Sequence, residues 1–165
     1  MEEKKKMTAE EAVGQFADMV YRIALVEVKN KADADDVFQE VFVRLVKHID
    51  TLESREHVKA WLIRVTVNCS KKHLTSFWNR RVGSIEDEEQ SVEEAGYMPE
   101  EENPVRRAVL ELPDKYRTVI HLFYFEELSV HEICNYLRQK ESTVKSQLFR
   151  ARELLRDKLE GEICL

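Results

Sequence analysis

Residues Leu128–Lys158 read LSVHEICNYLRQKESTVKSQLFRARELLRDK. Ser129 and Glu132 stand at capping-box spacing: the hydroxyl takes the amide three residues on, and the glutamate reaches back. Ile133 and Leu137 then lay one apolar stripe over two turns. The pattern breaks at Arg138–Glu141, and a second helix starts with Ser142 or Thr143 as its N-cap. Val144, Leu148, Ala151 and Leu155 recur at helical spacing and are expected to pack inward. That leaves Thr143, Lys145, Ser146, Gln147, Arg150 and Arg152 facing out. From Arg138 to Lys158, seven Lys/Arg stand against three Asp/Glu. A short helix, a tight break and a longer polar, basic helix make the pattern of a helix-turn-helix, whose second helix lies in the DNA major groove. Most charge runs are only solvated faces. Here short hydrogen-bonding residues crowd the helix start, where base edges are reached, and that favours DNA contact.

Composition agrees once charge is located. The chain has 165 residues, enough for one domain or two small ones, with only 4 Gly and 3 Pro and 35% charged residues. Strand-like alternation is scarce, so the expected fold is all-α. The formal net charge of −6 is unusual for a DNA binder. However, residues 86–102 (EDEEQSVEEAGYMPEEE) hold nine of the 32 acids and no Lys or Arg. Without them, 26 basic residues face 23 acids, a net of +3. Two mildly basic parts are therefore expected, residues 1–81 and 104–165, joined by an acidic linker over 82–103. The linker has too few large apolar residues to bury a core and is expected to be flexible. It reads either as a solubilising connector or as a segment that imitates nucleic acid in a basic channel of a partner.

Other function classes find little support. The N-terminal MEEKKKM lacks an apolar signal region, and the longest apolar stretch, Val119–Phe125, is too short to cross a bilayer. No membrane insertion is expected. Three widely spaced cysteines, Cys69, Cys134 and Cys164, argue against a disulfide framework and for a reducing, cytoplasmic setting. Cys69 with His73, and His131 with Cys134, could each put two ligands on one helix face. With no CxxC or HExxH, no metal site is expected. No phosphate-binding loop, nucleophile elbow or catalytic dyad stands out, so the reading is a non-enzyme without a cofactor.

Upstream, a helix starts at Thr8, with Glu11 completing a capping box. Val13, Phe16, Ala17, Val20, Ala24 and Val28 form its core stripe. Asn30–Asp33 breaks it. A second helix, about 34–49, carries Val37, Phe38, Val41, Phe42, Leu45, Val46 and Ile49, more apolar surface than one neighbour needs. Phe42 is either core or offered to a partner. Asp35, Asp36, Gln39 and Glu40 gather near the helix start, where the helix dipole alone accounts for carboxylates. A polar loop, Asp50–His57, precedes a third helix over about 58–77, with Val58, Trp61, Leu62, Val65 and Cys69 inward. Its end interleaves Lys71, Lys72, Arg80 and Arg81 with Phe77 and Trp78. That suits either backbone contact with base stacking or a basic helix C-terminus closed by core aromatics. Pro104 opens the second part as a typical first helical residue. Helices over about 105–112 and 114–125 follow, the latter presenting Tyr116, Val119, Ile120, Leu122 and Phe123 inward.

Together these segments resemble an extracytoplasmic-function (ECF) sigma factor, the smallest class of the sigma-70 superfamily of bacterial initiation factors. In the first part the resemblance rests on Asp36-Val-Phe-Gln39-Glu40-Val-Phe42, on Ala60-Trp61-Leu62-Ile-Arg64-Val and on Asn68. In the second it rests on Leu112-Pro113, Tyr116-Arg117, Glu132-Ile133 and the run Ser142 to Arg152. It implies that Asp35, Asp36, Gln39, Glu40 and Phe42 bind core RNA polymerase, at the clamp helices of the largest subunit, and that the second part meets the flap of the second subunit. It implies a −10 element read by flipping a base into the loop Leu52–Lys59, through Leu52, Arg55 and Asn68, with Lys71, Lys72, Arg80 and Arg81 on the backbone. Ser142, Thr143, Lys145, Ser146, Gln147, Phe149 and Arg150 match positions that meet the −35 element. An anti-sigma partner, a stress-responsive regulon and a linker threaded through the polymerase cleft follow from the same resemblance.

Departures from the family pattern bear on promoter preference. Arg138 stands where the turn usually has Gly, which either puts a side chain in a left-handed position or remodels the turn, and Gln139 replaces an apolar residue. Ser142 replaces a common Gly, and Gln147 a frequent Arg, favouring adenine over guanine if it meets a base. Lys72 stands where Asp is common, and Thr75 where Arg is. Two other readings compete. One is a dimeric helix-turn-helix regulator at paired operator half-sites. The other is an enzyme, for which the sequence offers no site constellation.

Overall fold

The computed structural model describes residues 6–81 and 103–163, with side chains described through residue 76 in the first stretch and through residue 161 in the second. The chain falls into two compact units, Met1–Gly96 and Tyr97–Leu165. The described residues are helical, with no strand among them. The linker residues 82–102 lie outside the described residues.

The first unit packs three helices, each against the other two. α1 spans Ala9–Val28. The Thr8 hydroxyl accepts from the Glu11 amide at 3.1 Å and donates to the Glu11 carboxylate at 3.2 Å, so the cap is made within the Thr8–Glu11 pair. Its buried stripe is Ala12, Phe16, Met19, Val20, Ile23 and Ala24. Val13, expected inward, is 40% exposed, because the stripe runs one residue earlier through Ala12. Lys29 ends the helix with φ 65°, its amide returning to the Leu25 carbonyl.

α2 spans Lys31–His48, longer at its start than expected, because the break between helices is only Lys29 and Asn30. Asn30 is the cap: the Asp33 amide donates to its Oδ1 at 2.8 Å. Val37, Val41, Phe42 and Leu45 are buried, whereas Val46 is 63% exposed. Phe42 is thus core in this chain, packed on Phe38 at 4.8 Å between ring centroids. A 3-10 turn, Ile49–Thr51, leads to α3, Arg55–Arg81. The connection is shorter than the expected polar loop because Ser54 and His57 cap α3. The His57 amide donates to Ser54 Oγ at 3.2 Å, and the Glu53 amide donates back to His57 Nδ1 at 3.2 Å. α3 buries Val58, Leu62, Ile63, Val67 and Cys69, while Trp61 and Val65 are only half-buried. Fully burying a Leu or Ile side chain stabilises by roughly 1.5–3 kcal/mol over leaving it exposed.

The second unit is built from shorter helices gathered on one long one. α4 spans Pro104–Leu110, and Asn103 Oδ1 accepts from the Val105 amide at 3.0 Å. α5 spans Asp114–Ile120 and does not continue regularly to residue 125. His121–Phe125 widens into a π-type turn, closed by the Glu126 amide on the His121 carbonyl. A buried pair, His121 Nε2 to Glu126 Oε2 at 2.8 Å, holds that widening. α6 spans Val130–Leu137 and α7 Glu141–Ile163. Val144, Leu148 and Ala151 of α7 are buried, with Leu155 half-buried. Arg117 is buried at the base of this unit, donating to the Leu112 carbonyl at 2.8 Å and to Asp114 at 2.6 Å.

Candidate nucleic-acid interface

α6, the turn and α7 form the helix-turn-helix. Both halves of the Ser129–Glu132 capping box are present, at 3.1 and 3.0 Å. Arg138 takes the left-handed backbone expected of it, φ 55° and ψ 47°, and its amide closes on the Cys134 carbonyl. The left-handed region costs a residue with a side chain roughly 1–2 kcal/mol, so packing on both sides must hold the turn. α7 starts at Glu141, and the Val144 amide bonds the Lys140 carbonyl. Ser142 and Thr143 are therefore first-turn residues and not the N-cap, because the turn is one residue shorter than the sequence break suggested.

That start leaves the outward residues accessible. Ser142, Thr143, Lys145, Ser146, Phe149 and Arg150 are exposed, Phe149 at 63%. Lys145 pairs with Glu141 at 3.0 Å and Arg150 with Glu153 at 3.1 Å. Such exposed pairs are worth about 0–1 kcal/mol, so both cations can exchange them for phosphate. The hydrogen bond from Lys145, then its charge, holds the Glu141 carboxyl below the ordinary glutamate range. Gln147 is half-buried, and its Oε1 is turned inward, buried without a hydrogen-bond partner. It lines a groove of about 440 Å³ with Ser142, Thr143, Ser146, Arg150, Lys115 and Tyr116. Lys115 and Tyr116, from the first turn of α5, are not among the residues the sequence marks for DNA contact. Tyr116 was expected in the core; only its place after the Leu112-Pro113 break hinted at an outward wall. Arg152 is not a free outward cation: its Nε donates to Tyr124 Oη at 2.7 Å, and its guanidinium lies over the Phe123 and Tyr124 rings.

In the first unit, Asp35, Asp36 and Gln39 are exposed on α2, and Glu40 is half-buried. Glu40 holds Arg44 at 2.7 Å, and Tyr21 donates a side-chain hydrogen bond to Asp35. Burial first, then the Asp35 charge, raises the Tyr21 phenol above its ordinary range. Val43 and Val46, 55% and 63% exposed, follow Asp36 and Gln39 two turns on and extend the same face. They supply the apolar surface that Phe42 does not. Glu40 and Arg44 also lie near Cys69, whose thiol is raised by burial first and by the Glu40 charge second.

Asn68, Lys71 and Lys72 share an exposed face of α3. Leu52, expected at the base-flipping loop, is 2% exposed and belongs to the core. Residues 55–59, expected in that loop, form the first turn of α3. Arg55 leans on α1, donating to Gln15 at 2.8 Å and covering the Phe16 ring. Arg80 and Arg81 lie in the last turn of α3, with side chains outside the described residues, as are those of Phe77 and Trp78.

A capped helix-turn-helix with an accessible second helix defines a DNA-binding protein, and the separate three-helix unit narrows the class. The family model for Sigma-70 region 2 matches residues 12–80, and that for Sigma-70, region 4 matches residues 102–155. The chain is 32% identical over 158 residues to the ECF RNA polymerase sigma factor SigW of Bacillus subtilis, covering 87% of this chain and 84% of that protein. It is also 32% identical over 157 residues to SigM of the same organism, covering 91% and 94%. Two solved structures share the fold. The sigma factor RpoE, in complex with the anti-sigma factor NepR from Bartonella quintana, has a TM-score of 0.69 at 19% identity, over 92% of this chain and 96% of that one. CnrH, in complex with the cytosolic domain of CnrY, has a TM-score of 0.67 at 19% identity, over 93% and 88%. The chain belongs to the ECF sigma factors of bacterial RNA polymerase, which are transcription-initiation factors. No described helix is long and apolar enough to cross a membrane.

Proposed function

We propose that this chain directs core RNA polymerase to a specific set of promoters by touching DNA with both units and polymerase with α2. The observation that carries the reading is the open first two turns of α7, whose Ser142, Thr143, Ser146, Gln147 and Arg150 line one groove with Lys115. A glutamine amide in the major groove pairs adenine through its N6 and N7. Thr143 and Lys115 suit phosphate, and the exposed Phe149 ring suits a thymine methyl. Lys145, Ser146 and Arg150 complete the −35 contact beside Ser142.

In the first unit, Asp35, Asp36, Gln39 and Glu40, continued by Val43 and Val46, dock on the clamp helices of the largest subunit. Lys71 and Lys72, with Arg80 and Arg81, take the strand backbone of the −10 element. Asn68 and the outward side of the turn before α3 receive a base flipped during melting. Leu52 and Arg55 shape that turn from within, through burial and through α1. The second unit meets the flap of the second subunit. An anti-sigma factor covers these faces until a stress signal arrives, in the cytoplasm; the RpoE structure, seen with the anti-sigma factor NepR, motivates this part.

The test is transcription by core polymerase reconstituted with the chain on genomic fragments. The expected result is a small set of discrete transcripts whose upstream regions share two elements. Tight binding to a palindromic operator by the chain alone, with no polymerase-dependent transcript, would replace this reading with the regulator.

A further inference from the structure

Sequence spacing suggested that His73 shares a helix face with Cys69. The structure turns its ring elsewhere. His73 Nε2 lies 2.8 Å from Asp33 Oδ1, joining α3 to the start of α2 across 40 residues. Asp36, one turn after Asp33, completes a group in which an imidazole nitrogen and two carboxylate oxygens all lie within 4.8 Å of one another. We propose that Asp33, Asp36 and His73 form a site for a divalent first-row transition metal of the zinc type.

Three features support the assignment. Two of the three groups are partly withdrawn from water, the Asp33 and His73 side chains being 21% and 26% exposed, while Asp36 is exposed and gives the site its opening. Asp33 is oriented from behind, since Asn30, the cap of α2, donates its amide to the other carboxylate oxygen. Ligating carboxylates are commonly held by such an outer hydrogen bond. Asp36 has no side-chain partner among the described residues, so two carboxylates converge with only a histidine between them. A divalent cation relieves that repulsion and uses all three groups. One nitrogen and two oxygens suit zinc and its neighbours, while the absence of a thiolate disfavours soft monovalent copper. Three protein ligands leave a position open to water or to a partner's side chain. The competing account is a hydrogen-bonded clamp in which Asp33 and His73 need no metal.

The assignment stands on geometry alone. Its consequence rests on the proposed docking role of α2: a bound metal engages Asp36 and removes it from the face offered to polymerase.

The test is zinc titration of the full chain against a competing chromophoric chelator, beside Asp36→Asn, His73→Ala and Cys134→Ser. Asp36→Asn is the sharper variant, because it leaves the Asp33–His73 contact intact. Helicity by circular dichroism checks that each variant folds. The expected result is one zinc per chain, weakened about tenfold or more by either ligand variant and unchanged by Cys134→Ser. Equal binding by wild type and Asp36→Asn, or no binding by wild type, would overturn the site and leave the clamp. A second arm measures co-elution of the chain with bacterial core RNA polymerase on a sizing column, with and without zinc. Loss of co-elution with zinc supports the competition, and unchanged co-elution with zinc bound overturns it. Failure to co-elute without zinc counts against the docking role and not against the metal site.

Discussion

The two units hold their proposed contact faces by different means. On α2, Asp36, Gln39 and Val43 stand in the body of a helix whose opposite side buries Val37, Val41 and Leu45 completely. That face is set by packing among three long helices. On α7, Ser142, Thr143, Lys145 and Ser146 lie in the first two turns, directly after a three-residue turn that starts with Arg138 at φ 55°. That face is set by local chain chemistry: the Ser129–Glu132 box, the left-handed residue and the first amide bonds of α7. A helix face fixed by burial tolerates changes at its surface. One fixed by a turn is sensitive to the turn itself.

The largest expected effect is in the packed unit. Leu62 of α3 is fully buried, so Leu62→Ala should cost about 2–5 kcal/mol in urea unfolding. A cost below 1 kcal/mol would show that packing does not dominate there. Next, in the turn-set unit, Gln147→Ala should relax preference at a single upstream promoter position by about 1–3 kcal/mol, read from holoenzyme binding to single-base variants. An equal loss on every sequence would mean that Gln147 meets only backbone.

Smaller effects probe the turn directly. Arg138→Gly should stabilise by about 0.5–1 kcal/mol, because glycine enters the left-handed region without the steric penalty but loses more entropy on folding. Lys29, at φ 65° with its amide on Leu25, has the same cap geometry in the packed unit. Lys29→Gly should therefore give a similar gain in thermal unfolding, and opposite signs for the two would mean that one turn is held by contacts of its arginine or lysine side chain. The smallest effect concerns pH. The Glu141 carboxyl is held low by the Lys145 hydrogen bond and charge, so the stability it contributes is present above the usual glutamate pKa of about 4.3 and is lost as pH falls through the lower folded value. In a pH series of melting midpoints, Glu141→Gln should differ from wild type at neutral pH and converge with it in acid.

Much of the turn-set unit could be read from sequence because its determinants are close in the chain. Ser129 with Glu132 and Pro104 as an opening residue are local signals, while the left-handed Arg138 was one of two outcomes implied by the family resemblance. Val144, Leu148 and Ala151 were legible because one stripe faces one core. The packed unit was harder. Periodicity names apolar residues but not the centre of the stripe, so it points Val13 inward, and the surplus apolar surface of α2 leaves open whether Phe42 or its neighbours face out. Leu52 looked like loop because nothing nearby in sequence says that α1, α2 and α3 close over it. The Ser54–His57 cap uses an imidazole as acceptor, which capping rules do not list among the usual residues. The π-type turn at His121 and the Asp33–His73 contact depend on tertiary neighbours, and no short window of sequence carries them.

The central claim is that α2 carries the polymerase contact while α7 carries the promoter contact. Its most direct test is co-elution of the full chain with bacterial core RNA polymerase on a sizing column, beside Asp36→Arg/Glu40→Arg and Gln147→Ala. The account predicts that wild type and Gln147→Ala co-elute and that the double variant, folded by circular dichroism, does not. Co-elution of the double variant, or failure of the folded wild type to co-elute, would contradict it.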